Sequence, residues 1–157
     1  MLAAPGKVHG SNFSFETDGG QVRYYSRYKE VARSEKFIRK TCVEDAMGKY
    51  DAAVRRAFRL HSEAGARPIR SLRIYGEYFG GWYPAAGVAA RGAGAGQKVQ
   101  AHAPAYAPEH DFFAFEVRAD GEFLDFDDAV ALLREARRGN IDPQRMPIDP
   151  HEAAHVA

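Results

Sequence analysis

The first residues along the chain that could carry chemistry are Lys7 and the segment after it, Val8-His9-Gly10-Ser11-Asn12. A lysine amine is nucleophilic only when it is neutral, so its pKa must be lowered by burial or by nearby cations. Gly10 would let the backbone approach a nucleotide closely, and the Asn12 amide can donate to phosphate oxygens. A lysine near a terminus is usually a solvated side chain, so this segment alone is a weak indication of a nucleophile.

Four segments, taken in order, resemble the motifs of a known family. They are Lys7-Val8-His9-Gly10-Ser11-Asn12-Phe13-Ser14, Ser26-Arg27, Tyr75-Gly76-Glu77-Tyr78-Phe79-Gly80 and Phe112-Phe113-Ala114-Phe115-Glu116. Together they resemble the first nucleotidyltransferase motifs of ATP-dependent RNA ligases of the RNA ligase 2 family. The first segment is the most specific, because a His-Gly pair and then an asparagine after the lysine separate these ligases from DNA ligases and capping enzymes. The resemblance runs from Lys7 to about Asp128.

The resemblance implies roles for five residues. Lys7 resembles the catalytic lysine that forms covalent lysyl-AMP, and Asn12 matches an asparagine near the nucleotide phosphates that ligation requires. Arg27 matches an arginine that contacts the bound nucleotide. Glu77 matches the acidic residue that holds the ribose, and Phe115 the aromatic residue that stacks on adenine. Without the family pattern other interpretations stay open, namely a surface ion pair for Arg27, a solvent-facing charge for Glu77 and a core position for Phe115.

The activity implied by the resemblance has three steps. Lys7 attacks ATP to give lysyl-AMP and pyrophosphate, AMP passes to an RNA 5′-phosphate, and a 3′-hydroxyl then attacks the activated end and releases AMP. The implied cofactors are ATP and Mg²⁺, which would screen the phosphates. The implied partner is RNA with 5′-phosphate and 3′-hydroxyl ends, in repair or sealing of nicked RNA.

Two later motifs of the family are not found in the sequence. One is a strand with a Glu-Gly pair, whose glutamate helps to place the divalent metal, and the other is a Lys-x-Lys strand that binds the triphosphate. Neither pattern occurs after Asp128, and Met1–Gly6 is short for the helix and strand that precede the lysine in relatives. We therefore expect a partial domain that ends before the last two motifs. The alternative is a non-catalytic remnant that binds adenine nucleotide or RNA without chemistry.

Several elements that would position these residues can be predicted locally. Asn12–Thr17 and Gln21–Arg27 are aromatic-rich runs on either side of Asp18-Gly19-Gly20, which predicts a β-hairpin. A helix is expected next, because Thr41 and Glu44 have the spacing of a capping box. Apolar residues then recur at helical spacing, and Gly65 and Pro68 would end the helix. The residues at this spacing are Met47, Tyr50, Val54, Phe58 and His61, of which the first four are apolar.

The second half of the chain predicts two strands and a helix. Ser71–Phe79 alternates, with Leu72, Ile74, Gly76 and Tyr78 on one face and Arg73, Tyr75, Glu77 and Phe79 on the other. In the strand Asp111–Val117 we expect Phe113, Phe115 and Val117 to share a face. Pro84–Gly96 is typical of a mobile loop. Asp125 or Asp127 would cap a last helix that Gly139 ends.

These elements predict an α+β fold of largely antiparallel sheets with flanking helices. By resemblance it would be a partial nucleotidyltransferase domain, the ATP-grasp-like adenylation domain of a ligase. We expect this domain to span residues 1–140 and an irregular, proline-containing tail to span residues 141–157.

Three other patterns have stronger structural than functional explanations. His151-Glu152-Ala153-Ala154-His155 spells the HExxH pattern of zinc proteases. Pro150 before the motif leaves barely one turn of helix for a zinc site, and the two residues after it, Val156 and Ala157, offer no third ligand. Gly92-Ala93-Gly94-Ala95-Gly96 lacks the Lys-Ser/Thr of a P-loop and favours a flexible linker. The arginine-rich region is either a solvated surface or an RNA contact, and it comprises Arg55, Arg56, Arg59, Arg67, Arg70 and Arg73.

Bulk composition adds general limits. A net charge of +1 gives no overall argument for nucleic-acid binding, so local residues must carry it. Cys42 is the single cysteine, which excludes an internal disulfide and suits a reducing compartment. No apolar run approaches the roughly 20 residues of a membrane span, and no signal peptide is evident at the N-terminus. We expect a soluble, cytoplasmic protein without a membrane partner, and its oligomeric state stays open.

Overall fold

The fold is described from a computed structural model over residues 9–83, 92–103 and 107–138. It contains eight strands, three α-helices and a 3₁₀ turn. The strands are β1 (Ser11–Thr17), β2 (Val22–Ser26), β3 (Glu30–Val31), β4 (Lys36–Ile38), β5 (Thr41–Cys42), β6 (Leu72–Trp82), β7 (Ala107–Ala119) and β8 (Glu122–Phe123). The helices are α1 (Val43–Met47), the 3₁₀ turn Gly48–Tyr50, α2 (Asp51–Ala64) and α3 (Phe126–Arg138).

Six strands form one antiparallel sheet in the order β3-β2-β1-β6-β7-β8. The strands β4 and β5 form a separate two-stranded hairpin. Helices α2 and α3 pack together against one face of the large sheet. The predicted α+β class with largely antiparallel strands is therefore confirmed.

The core lies between the helices and that face of the sheet. It is rich in aromatic side chains, and the Phe15 and Phe112 rings meet edge to face with centroids 4.9 Å apart. The predicted inward face of β6 is confirmed, since Leu72, Ile74 and Tyr78 are fully buried. At Gly76 a Cβ would overlap the Phe112 ring, so this position needs a residue without a side chain. The opposite face of the sheet carries Asn12, Ser14, Glu16, Arg23, Tyr25, Arg73, Tyr75, Glu77, Phe113, Phe115, Glu116 and Arg118. We call it the outer face.

The predicted hairpin is confirmed, and its turn is built by local hydrogen bonds. Asp18 Oδ1 accepts from the backbone N–H groups of Gly20 and Gln21, both at 3.0 Å. Gly19 has φ 99°, a conformation that glycine adopts without steric cost. These bonds also lower the pKa of Asp18. The turn therefore sets the β1–β2 register from sequence-local chemistry.

The predicted capping box is wrong. Thr41 belongs to β5, and its hydroxyl donates to Gln97 Oε1 at 3.1 Å. The carboxylate of Glu44 pairs with Arg33 at 2.8 Å. Cys42 is the N-cap residue, without a side-chain bond, and the 3₁₀ turn Gly48–Tyr50 separates the helix into α1 and α2. Both predicted capping side chains are thus recruited by residues distant in sequence.

The prediction that Phe113, Phe115 and Val117 share a face is also wrong. Tyr75 pairs with Glu116, whereas Gly76 pairs with Ala114, so Phe115 is the extra residue of a β-bulge. The bulge turns both Phe115 and Glu116 outward, and Val117 then faces the core with Phe112 and Ala114. One inserted residue inverts the expected alternation.

Part of the segment predicted as a mobile loop is packed. The Gly94 backbone lies so close to His110 that a Cβ there would overlap the imidazole ring. The Ala93 carbonyl accepts from the His110 N–H at 2.9 Å. Residues 84–91 of this segment lie outside the described residues, as do Gly139 and the whole tail 141–157.

Candidate functional site

The outer face brings two of the predicted site residues into direct register. Asn12 on β1 pairs with Glu77 on β6, and antiparallel partners project from the same face of a sheet. Glu77 Oε1 also accepts the backbone N–H of Gly10 at 3.1 Å. The carboxylate is therefore tied to the segment that carries Lys7, three residues before Gly10. A polar cluster of Gly10, Asn12 and Glu77 forms at the start of β1.

The backbone at Gly10 is held from two sides. A Cβ on this residue would overlap the Tyr78 carbonyl oxygen and lie 2.9 Å from Glu77 Cγ. Gln100 Nε2 donates to the Gly10 carbonyl at 2.9 Å. Gln100 was not predicted from the sequence, and a glutamine in a loop 90 positions away offers no local signal.

Lys7 lies outside the described residues, so no geometry is given for its side chain. Its role stays a prediction. The described chain fixes Gly10, which follows Lys7 by three residues in the sequence, through Glu77 and Gln100.

Arg27 lies next to this cluster, at the end of the neighbouring strand. Ser26 is the last residue of β2 and pairs with Phe13 of β1. Arg27 then opens a tight turn in which the Ser26 backbone N–H donates to the Lys29 carbonyl at 2.8 Å. The Arg27 side chain is exposed, with its guanidinium carbon 5.9 Å from the centre of the Tyr28 ring. It is accessible to a ligand, and no bond from it to Asn12 is seen among the described residues.

Phe115 projects from the bulge of β7 on the same face. Its side chain is 42% exposed, which is unusual for a phenylalanine in the middle of a strand. This excludes the alternative that Phe115 is an ordinary core residue. Phe113, which pairs directly with Glu77, is only 8% exposed. The bulge thus presents Phe115, rather than Phe113, as the aromatic surface open to a ligand.

Arg73, in the middle of the outer face, was considered from the sequence only as a surface residue or an RNA contact, and not as part of a nucleotide site. The Arg73 guanidinium carbon lies 4.2 Å from the centre of the Tyr25 ring and 4.9 Å from that of Tyr75. Its Nε donates to Ser14 Oγ at 2.9 Å, and NH1 lies 3.7 Å from Glu16 Oε2. Alternating aromatic and charged residues on β2 and β6 could have indicated it, but the pairing of both with β1 was needed to place them together. Arg73 is held rigidly, with its charge at the centre of the face.

The free edge of β7 is closed by the 3₁₀ turn. Lys49 Nζ donates to the His110 carbonyl at 3.1 Å and lies 3.4 Å from Asp111 Oδ1. The Tyr50 hydroxyl also donates to Asp111 Oδ1. Burial raises the pKa of Asp111 and lowers that of His110, whose ring bonds the Tyr78 hydroxyl at 2.7 Å. These groups anchor the first half of β7, and their contacts explain them as structural residues without a catalytic role.

Comparison with protein families identifies the chain. The RNA ligase family matches residues 3–152, nearly the whole sequence. This chain belongs to the RNA ligase family. No curated protein matches it. The matched region includes Lys7 and continues beyond Asp128, where the motif resemblance ended.

Neither a metal cluster nor a membrane-spanning helix is found in the described part of this chain. No group of three His, Cys, Asp or Glu side chains among residues 9–83, 92–103 and 107–138 could hold a metal ion. No helix there is long and apolar enough to cross a membrane. The zinc-like pattern His151–His155 lies outside the described residues.

The arginine-rich region of this chain does not form one surface. Arg56 on α2 lies 3.7 Å from Glu135 on α3, which is an intramolecular ion pair. Arg73 projects from the sheet face opposite to the helices. Arg59 and Arg67 are exposed. The tertiary structure therefore separates Arg73 from the arginines of α2 and pairs Arg56 within the fold.

Replacing Phe115 with alanine is expected to weaken ATP binding with little change in stability. Stacking of a base on an aromatic ring contributes about 1–3 kcal/mol, so the KM for ATP should rise roughly 5- to 150-fold. The measurement is the ATP dependence of protein adenylylation, with thermal unfolding as the check on folding. Phe123→Ala is the matched control, since Phe123 is 56% exposed on the adjacent strand β8. Equal effects of the two substitutions would contradict a stacking role for Phe115.

Proposed function

We propose that this member of the RNA ligase family is an ATP-dependent adenylation domain in which Lys7 takes AMP from ATP. The observation that supports it most strongly is the bond from the Gly10 N–H to Glu77, with Asn12 paired beside it. The segment of the proposed nucleophile and the proposed ribose-binding carboxylate are thereby joined at one point. A nucleotide on the outer face could contact both at once.

The proposed chemistry begins with loss of a proton from the Lys7 ammonium. The lone pair of Nζ attacks the α-phosphorus of ATP, an N–P bond forms, and the bond from the α-phosphorus to the bridging oxygen breaks. Pyrophosphate leaves with that electron pair. An oxygen of an RNA 5′-phosphate next attacks the same phosphorus and frees Lys7. A 3′-hydroxyl then attacks the 5′-phosphorus, and AMP departs as the strand is sealed.

Phosphoryl transfer of this kind depends mainly on positioning and on electrostatic stabilisation. We assign Asn12 to the phosphates, and the exposed Arg27 to the nucleotide from the end of β2. Glu77 would hold the ribose while it keeps Gly10 in place. Phe115 would stack on adenine from the bulge. The central Arg73 adds a fixed positive charge to the face that would receive the anionic nucleotide.

Mg²⁺ would accompany ATP as the counter-ion of its phosphates. Since the described residues hold no cluster of metal ligands, we assign none of them to the metal and route no step through it. The physiological role we propose is sealing or repair of nicked RNA in the cytoplasm.

Incubation of the purified chain with α-phosphate-labelled ATP and Mg²⁺ tests the proposal. Label that remains on the protein after denaturation is expected, because a phosphoramidate bond is covalent. Binding of ATP without chemistry would give no such label, although it would use the same Glu77, Arg27 and Phe115. A folded chain that binds ATP yet never becomes labelled would overturn the proposed activity. It would instead support a domain that binds ATP without chemistry.

A further inference from the structure

A positively charged surface lies at the end of the sheet where Gly10 lies. We call it the basic patch and define it by Arg39, Lys40 and Lys98 with the indole of Trp82. Arg39 and Lys40 are exposed in the turn between β4 and β5. The two segments that build the patch, residues 36–42 and 97–103, contain four lysines and arginines and no acidic residue. In a chain with 22 basic and 21 acidic residues, this local excess is large.

Specific bonds hold the two segments together. Arg39 Nε donates to the Lys98 carbonyl at 2.8 Å, and the Lys40 backbone N–H donates to Gln97 Oε1 at 2.9 Å. Arg39 has φ 52°, an uncommon conformation for a residue with a side chain. The cations of the patch are therefore held in place by contacts between residues almost 60 positions apart. They do not belong to a flexible run of consecutive basic residues.

An exposed aromatic ring lies within the patch. Trp82, the only tryptophan of the chain, is 42% exposed at the end of β6. The Lys98 ammonium lies 4.2 Å from its ring. A basic groove with an aromatic surface is the combination by which proteins bind single-stranded nucleic acid, since cations contact phosphates and rings stack on bases.

The patch is connected to the candidate nucleotide site by a short path. Lys98 and Gln100 are two residues apart, and Gln100 bonds the Gly10 carbonyl. The backbone of Val99 between them donates to the Gly80 carbonyl at 3.1 Å. A strand bound on the patch would pass beside Gly10.

We propose that the basic patch binds the sugar-phosphate backbone of an unpaired stretch of the RNA that is presented to the nucleotide site, with Trp82 stacking on a base. The proposal rests on the proposed ligase function for the identity of the polymer. It assigns RNA binding to a surface different from the arginine-rich region, which the tertiary structure divides. Binding to the patch needs neither ATP nor Lys7, so its test is separate from that of AMP transfer.

The test uses the full chain and a short single-stranded RNA, without ATP or Mg²⁺. Binding is followed by the intrinsic fluorescence of Trp82 and by anisotropy of end-labelled RNA over a range of salt concentrations. The double substitution Lys40→Gln/Lys98→Gln removes two cations and breaks no hydrogen bond described for the patch. Its matched control is Arg59→Gln/Arg67→Gln, which removes two exposed cations from the arginine-rich region.

RNA should change the Trp82 emission in the wild-type chain and in the control. In the patch variant the slope of log K against log salt should become shallower by about 1.4, since each phosphate contact on a single strand contributes roughly 0.7. An unchanged slope in the patch variant, or an equal loss in the control, would overturn the proposal. So would an equal Trp82 response to poly-glutamate, which would show a surface for acidic proteins rather than RNA.

Discussion

Replacement of Lys7 by alanine should abolish the transfer of labelled AMP from ATP to the protein. The methyl group of alanine has no nitrogen with which to form the N–P bond, so the loss should be complete rather than partial. Lys7 precedes the fixed Gly10 by three residues in the sequence, and the substitution changes no described residue of the core. The measurement is retention of label on the denatured protein, together with thermal unfolding. We expect the unfolding midpoint to stay close to that of the wild type.

Two further lysine variants make this test specific. Lys7→Arg keeps a positive charge, but a guanidinium does not deprotonate in proteins, so this variant should also remain unlabelled. Lys29→Ala removes an exposed lysine that pairs with Glu35 at 3.3 Å, and it should be labelled like the wild type. If Lys7→Ala kept its label, another residue would be the nucleophile and the assignment of Lys7 would be wrong.

Replacement of Gly10 by alanine should impair both folding and adenylylation. The added methyl group would overlap the Tyr78 carbonyl oxygen, which belongs to the paired strand β6 and cannot rotate away. Overpacking of this kind costs about 1–3 kcal/mol of unfolding free energy. The start of β1 must then move, and the bond to Glu77 is lost. Because a displacement of about 1 Å in a reactive group can cost about 100-fold in rate, we expect AMP transfer to fall by on the order of 100-fold.

Gly20→Ala is the control for this substitution. Gly20 lies in the turn between β1 and β2, and the nearest atom to an added Cβ is Asp18 Oδ1 at 3.5 Å, an ordinary contact. Its unfolding free energy should change by no more than about 0.5 kcal/mol, as for most surface substitutions. Denaturant unfolding and single-turnover labelling of the two variants give both quantities. Wild-type rates in folded Gly10→Ala would show that the approach of Gly10 to Tyr78 is irrelevant to the reaction.

The candidate site was predicted from the sequence in part. The motif resemblance named Asn12 and Glu77, and the register of β1 and β6 brings them together. The resemblance also named Phe115, and its exposure on the outer face agrees with a ligand contact. Alternation alone placed Phe115 on the same face as Phe113 and Val117, and this was wrong for Val117, because a bulge cannot be read from a period of two.

The contacts of Gln97 and Gln100 show why the remainder was not predictable. Gln97 takes the hydroxyl of Thr41 that was expected to cap a helix, and Gln100 holds the carbonyl of Gly10. Neither bond has a signature within a sequence window, since the partners lie 56 and 90 positions apart. The basic patch has the same origin, because Arg39 and Lys98 are brought together only by the folded chain.

The sequence by itself determined what depends on neighbouring residues and on composition. The Asp18-Gly19 turn, the inward face of β6 and the α+β class follow from local hydrogen bonding and from the alternation of apolar side chains. The tertiary structure alone decided which backbone atoms Glu77 holds, which aromatic ring the bulge exposes and where the cations gather. Those features arise from pairing between strands and loops that are distant in the chain. The free energy of such pairing depends on residues outside any local sequence pattern, so a local pattern cannot predict it.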